Sequence, residues 1–153
     1  MKKWISLCLL LAVFFCGCGG GGAADSAQSI DPNALAKTLV DTLSFDEAHG
    51  EIAAEDISLY MDVPDGAEGA FYKSGSTTEA VAVFSCADDS VAGEINASLE
   101  NYLSEQETLF EAYDAKEVER IQNAYLKQHG NVVVMCVCAD ASAASDIVEK
   151  EIK

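Results

Sequence analysis

The sequence predicts an α+β domain: a mainly antiparallel four-stranded sheet made from two hairpins, packed with three or four helices. Two pairs of apolar, strand-like runs, each pair closed by a cluster of turn residues, predict the hairpins. Apolar residues at helical spacing before, between and after those pairs predict the helices. The run Val132-Val133-Val134-Met135-Cys136-Val137-Cys138 has no polar alternation, so its strand is expected to be covered on both faces. The resulting order is helix, hairpin, helix, short helix, hairpin, helix, which is the pattern of an α+β sandwich. A strand–strand–helix unit occurs in it twice, as a possible pseudo-repeat.

Each element has its own signal. Asp31-Pro32 offers an N-cap followed by proline at the first helical position, and Leu35, Leu39, Val40 and Leu43 follow on one face, so a helix is expected over 32–43. Residues 44–66 hold Phe45, Ile52, Ile57, Leu59 and Tyr60 without a clear period and end in the turn Pro64-Asp65-Gly66, so no element is assigned there. Ala67–Lys73 and Thr78–Cys86 read as strands around Ser74-Gly75-Ser76-Thr77. Asp88 or Asp89 caps a long helix whose buried face carries Val91, Ile95, Leu99, Tyr102, Leu103, Gln106 and Phe110. Asp114-Ala115-Lys116-Glu117 is a capping box for a short helix with Val118 and Ile121. The second hairpin, Ala124–Gln128 and Val132–Ala139, turns at His129-Gly130-Asn131. A last helix over about 142–151 starts near Asp140 or Ser142 and is expected to bury Ile147 and Ile152.

The segment before the domain has the grammar of export. Lys2 and Lys3 precede the uncharged, mostly apolar run Trp4–Phe15, then Cys16 and the small residue Gly17, followed by Cys18. A cysteine directly after the small residue is the pattern of a bacterial lipoprotein signal, cut before Cys18 and lipidated on that thiol. Bulky Phe15 before Cys16 disfavours that cysteine for the same role. The alternatives are an ordinary signal peptide and a membrane anchor. Trp4–Phe15 is too short for the second, since a span takes about 20 apolar residues. Three parts are therefore expected: a signal at 1–17, the lipidated cysteine and a Gly-rich tether at 18–30, and a single domain at 31–153. A dozen tether residues give a mean reach of about 20 Å.

Composition narrows the partners. The 153-residue chain has 9 basic and 26 acidic residues. Without the signal, which carries two of the lysines and no acid, the formal charge is −19. Such a surface repels nucleic-acid backbones and anionic headgroups, so no nucleic-acid partner is expected. Beyond Cys18 three cysteines remain, Cys86, Cys136 and Cys138. They lie in apolar runs and read as buried thiols, with one disulfide from Cys86 to Cys136 or Cys138 as the alternative.

The run Glu79-Ala80-Val81-Ala82-Val83-Phe84, the acidic helix ending Phe110-Glu111-Ala112-Tyr113, and Gly130-Asn131-Val132-Val133-Val134-Met135 resemble a family of small lipoproteins from Gram-positive bacteria, domain-of-unknown-function family 4358. The likeness runs over about residues 31–152, with Asp114 where similar proteins often carry proline. It implies a surface lipoprotein of a single-membrane cell and brings no catalytic residues.

No chemical motif stands out. His49 and His129 are the only histidines, lack a nucleophile motif around them, and read as exposed turn residues. Cys86, Cys136 and Cys138 together could form a soft metal site, but their valine neighbours favour packing. Asp62, Asp65 and Glu68 surround a tight turn and are weak candidates for a hard cation; they lack the alternating spacing of a calcium loop, so the turn reads as solvated and no metal or other cofactor is expected. The sequence therefore points to a lipid-anchored extracytoplasmic protein on the outer face of the cell membrane. Its partners would be the membrane, through the lipid, and an envelope protein or small ligand. The rivals are a small envelope hydrolase built on convergent acids or His129, and a cation- or thiol-responsive accessory protein.

Overall fold

Val132–Val137 forms a strand in which all six residues are buried, and the rest of the fold is arranged to cover it. In the computed structural model, which describes residues 30–152, this is the fifth strand of the chain, β5. The other strands are β1 (His49–Ile52), β2 (Ala67–Ser74), β3 (Ala80–Cys86) and β4 (Tyr125–His129). They form one sheet of order β1-β2-β3-β5-β4, antiparallel throughout. The helices are α1 (Pro32–Thr42), α2 (Asp89–Phe110), α3 (Ala115–Gln122) and α4 (Ala141–Glu151), with a 3₁₀ helix at Ala54–Leu59. The signal, Cys18 and the tether up to residue 29 lie outside the described residues.

Alternation along β3 and β5 sorts the core into two halves. Ala80, Ala82, Phe84, Val133 and Met135 face α2, α3 and the 3₁₀ helix, through Ile95, Leu99, Tyr102, Ile121 and Ile57. Val81, Val83, Val132, Val134 and Cys136 face α1 and α4, through Leu35, Leu39, Ala144 and Val148. The architecture is thus three layers with a sheet in the middle, which explains why the β5 run has no polar position. Phe71 and Phe84 are fully buried; each such side chain contributes about 1.5–3 kcal/mol of transfer free energy.

Every α-helix begins on an aspartate whose carboxylate accepts backbone N–H bonds: Asp31, Asp88, Asp114 and Asp140. Two turns use glycine where the backbone demands it, with Gly130 at φ 58° in the hairpin between β4 and β5 and Gly66 at φ 89° in the turn before β2.

Several expectations need correction. The sheet has five strands rather than four. The missed strand, β1, is four residues long at a sheet edge, with two central residues exposed, so it carries no hydrophobic period. The first strand of the second hairpin begins at Tyr125 and the second ends at Val137, two residues short of Ala139. Thr78 and Glu79 precede β3 rather than belong to it, because their polar groups are engaged elsewhere. In α4 the buried residues are Ala144 and Val148, while Ile147 and Ile152 pack only partly against the core. The strand–strand–helix order does recur, but α2 and α4 cover opposite faces of the sheet.

Candidate functional site

Two features stand apart from ordinary packing: a buried ion cluster at one end of the sheet and an open cleft at its β2 edge. The cluster centres on Arg120, the chain's one arginine, which is 6 % exposed. Its Nη1 donates to both carboxylate oxygens of Glu117, at 2.7 and 2.8 Å, and its Nη2 donates to Asp46 at 2.5 Å. Glu79 lies 3.5 Å from Nη2. Burial opposes the charge of Arg120, but the bond to Asp46 and the fields of Glu79 and Glu117 outweigh it and raise its pKa.

The two buried carboxylates are fully engaged. Glu117 accepts from the backbone N–H and the hydroxyl of Thr78, at 2.8 and 2.6 Å. Glu79 accepts from the backbone N–H groups of Asp46 and Glu47 and from the Thr77 hydroxyl. Bonds from Lys116 and Arg120 hold the Asp46 carboxyl below its usual pKa. The cluster therefore ties the loop before β1 to α3 and to the β2–β3 turn. Its groups satisfy one another, which is the chemistry of a clamp rather than of a reacting site. The capping box read at Asp114 is formed in one direction only. Asp114 caps the helix, but Glu117 turns inward to Thr78 and Arg120.

The cleft follows from unequal strand lengths. β2 has eight residues and β1 has four, paired only with Phe71–Ser74. After Ile52 the chain leaves the sheet edge for the 3₁₀ helix. A cleft of about 800 Å³ lies along the uncovered part of β2, floored by Ala67, Gly69 and Phe84. One wall is the start of α1, with Ile30 and Asp31; the other is Ala54, Ile57 and Val63. Among the described residues Asp31 and Glu68 are its charged residues, and no lysine or arginine lines it. Volumes of this order are typical of ligand sites.

Gly69 is what allows the floor to form. It pairs with Phe84, and a Cβ at position 69 would fall inside the van der Waals envelope of the Phe84 ring. The ring occupies the space that a side chain would take.

The residues singled out in the sequence are scattered. Asp62 faces Ser98 and Asn101 of α2, whereas Glu68 lines the β2 cleft. Among the described residues no group of three or more His, Cys, Asp or Glu is placed to hold a metal ion. Cys86, Cys136 and Cys138 are free and buried, but Cys86 belongs to the α2 half of the core and the other two to the α1–α4 half. The sheet separates them, so neither a three-thiolate site nor a bridge from Cys86 is formed. Burial pushes all three thiols up in pKa, most strongly at Cys136.

Neither histidine is an exposed turn residue. His49 lies in β1, half-buried against Phe45, with its Nδ1 3.0 Å from the Glu47 carbonyl and its buried Nε2 unpartnered. Burial lowers its pKa. His129 ends β4 and sits 2.9 Å from the Tyr125 hydroxyl, and burial lowers its pKa too. Burial also pushes Tyr125 up to about 12. His129 pairs with Val132 at the start of β5, while Glu79 immediately precedes Ala80, which pairs with Val137 at the other end. Five residues of strand, roughly 17 Å, separate them.

The ion cluster and the cleft were both missed in the sequence. The one signal that pointed to the cluster is the solitary arginine, with Thr78-Glu79 abutting a strand of apolar residues.

No curated protein and no solved structure matches this chain. A family match does exist, and it runs from the turn before β2 through β5 to Cys138, taking in Glu79, Glu117, Arg120 and the cleft floor but not α1, β1 or α4. Residues 64–138 match the model of the family described as Domain of unknown function (DUF4358), which supports the resemblance to that domain family read from the sequence.

Proposed function

We propose that this protein is a non-enzymatic binding module, lipid-anchored through Cys18 on the outer face of the cell membrane, which engages a partner at the cell envelope. The observation that carries the binding reading is the cleft of about 800 Å³ beside an uncovered stretch of strand, on a domain whose buried charges are otherwise mutually satisfied. The anchor reading rests on Lys2, Lys3, the apolar run to Phe15, and Gly17-Cys18. Partners of nucleic-acid type are disfavoured by the formal charge of −17.

The hydrolase rival needs convergent acids free to react, or His129 beside a buried carboxylate. Asp46, Glu79 and Glu117 converge on Arg120 and are engaged by it, and the roughly 17 Å of β5 between His129 and Glu79 counts against the second arrangement. The thiol-responsive rival needs accessible, ionisable thiols; Cys86, Cys136 and Cys138 are buried, with raised pKa values.

The test of anchoring is metabolic labelling of producing cells with an alkyne fatty acid. The wild-type chain should take up label and partition with membranes, and C18S should do neither. Label retained by C18S would place the lipid elsewhere or remove it from the account. Binding is tested by a thermal-shift screen of the purified chain against envelope peptides, cell-wall fragments and divalent cations. A ligand at 100 times its dissociation constant stabilises by about 2.7 kcal/mol.

A further inference from the structure

Backbone alternation fixes which groups of β2 face the cleft. Ala87 N–H bonds to the Gly66 carbonyl across the β2–β3 pair, whereas Cys86 N–H turns the other way, to the Asn131 carbonyl. With the register Glu68↔Ser85, this directs Glu68, Ala70 and Tyr72 toward β3 and Ala67, Gly69 and Phe71 toward the β1 side. Ser74, whose N–H bonds to the Glu79 carbonyl, fits the same alternation. Phe71 is met there by Ile52 of β1, and the Ala67 N–H is taken by the Pro64 carbonyl. Gly69 has no strand opposite it among the described residues, because the chain has by then turned into the 3₁₀ helix at Ala54. Among the described residues the Gly69 N–H and C=O and the Ala67 C=O therefore form an open edge at the floor of the cleft.

An uncovered strand edge pairs with another extended chain unless something protects it. The usual protection, an edge lysine, is missing from the cleft among the described residues, and its walls rise on both faces of the sheet instead. They leave a slot in line with β1, with apolar sides (Ile30, Ile57, Val63) and carboxylates at Asp31 and Glu68. Backbone hydrogen bonds in such a slot give affinity, and the side chains that line it set the preference. Here both charged groups are negative.

We infer that the cleft takes an extended peptide segment of a partner protein, carrying lysine or arginine alternating with small apolar residues, which adds as a strand to β2 beyond the end of β1. This deepens the binding-module reading and rests on it. The peptide backbone pairs with Gly69, its apolar residues face the slot walls, and its cations meet Asp31 and Glu68.

The test is hydrogen exchange by mass spectrometry on the full chain in detergent, with and without the peptide (Lys-Val)4. Gly69 carries the one amide of Ala67–Ala70 that faces the open edge, so bound peptide should slow exchange in this segment by about tenfold or more at that single amide. (Glu-Val)4 should not do so, and neither should (Lys-Val)4 methylated on alternate backbone nitrogens. E68K, which alters an exposed residue, and D31N, which retains a capping side chain, should each weaken (Lys-Val)4 binding about threefold or more. Binding without protection of Gly69, or equal binding of the methylated peptide, would overturn the proposal in favour of general attraction to an acidic surface. Protection of Gly69 in the free chain, released on removal of residues 1–29, would overturn it in favour of the chain's own N-terminal segment. A (Lys-Val)4 failure alongside a thermal shift by another envelope component would sink the strand-addition proposal and leave the binding-module reading standing.

Discussion

Arg120 and Glu117, one turn apart on α3, hold each other in a two-bond ion pair at 2.7 and 2.8 Å, both side chains almost wholly out of water. Removing charges from water is costly, and this pair is stable only because Thr78 completes the Glu117 shell and Glu79 and Asp46 complete that of Arg120.

Breaking that pair from either side should be severe. R120A leaves Glu117 and Glu79 buried without their cation, and E117A strands Arg120 and the Thr78 donors. Each is expected to cost about 3–5 kcal/mol in urea unfolding. K116A removes only an exposed partner of Asp46 and should be close to neutral. A small loss for both R120A and E117A would mean that the cluster does not clamp the loop to the sheet.

Gly69 should tolerate no side chain. In G69A the new Cβ meets the Phe84 ring, which is itself fully buried, and overpacking of this kind costs about 1–3 kcal/mol. The companion change F84L should recover part of the loss in G69A by giving up ring volume above position 69. Thermal unfolding of the two single variants and the double variant gives the coupling directly.

Acid should weaken the fold in two stages. His49 and His129 have folded-state pKa values below the usual 6.5, so the unfolded chain binds the proton first. Their effect is absent above the unfolded value and grows as pH falls from about 6.5 toward the lowered values. Asp46, with its pKa below 3.8, acts later: its contribution is present above the unfolded value and is lost as pH falls through the folded one. Stability measured by denaturant between pH 7.5 and 5.5 should decline, and H49F, which removes the unpartnered buried Nε2, should decline less. An unchanged slope in H49F would contradict the burial argument.

Cys86, Cys136 and Cys138 should react slowly with iodoacetamide in the folded protein at pH 8 and fully in denaturant, as peptide mass spectrometry would show. Reductant should leave the melting temperature unchanged. Rapid native labelling of any of the three would revive the thiol-responsive reading.

Much of this was legible in the sequence because it is local. The aspartate caps, the glycine turns and the unbroken apolar run of β5 each depend on neighbours within a few residues, and each sits where the pattern placed it, save that β5 ends two residues early, at Val137. β1 was not legible, since four edge residues with two exposed give no period. The ion cluster was hidden for a different reason. Glu117 meets Thr78 across 39 positions and Arg120 meets Asp46 across 74, and among 26 acids nothing local marks the ones that go inside. The cleft is less legible still, because it is made by a strand that stops early rather than by any residue type.

The most direct test of the binding account is photo-crosslinking in living cells from a benzoylphenylalanine placed at Asn33, which lines the cleft and leaves both carboxylates in place, compared with one at the exposed Glu149 on α4. The account predicts a discrete adduct from position 33 that (Lys-Val)4 suppresses and that position 149 does not give. Equal adducts from both positions, or an adduct from 33 that the peptide leaves untouched, would contradict the β2 edge as the site of recognition.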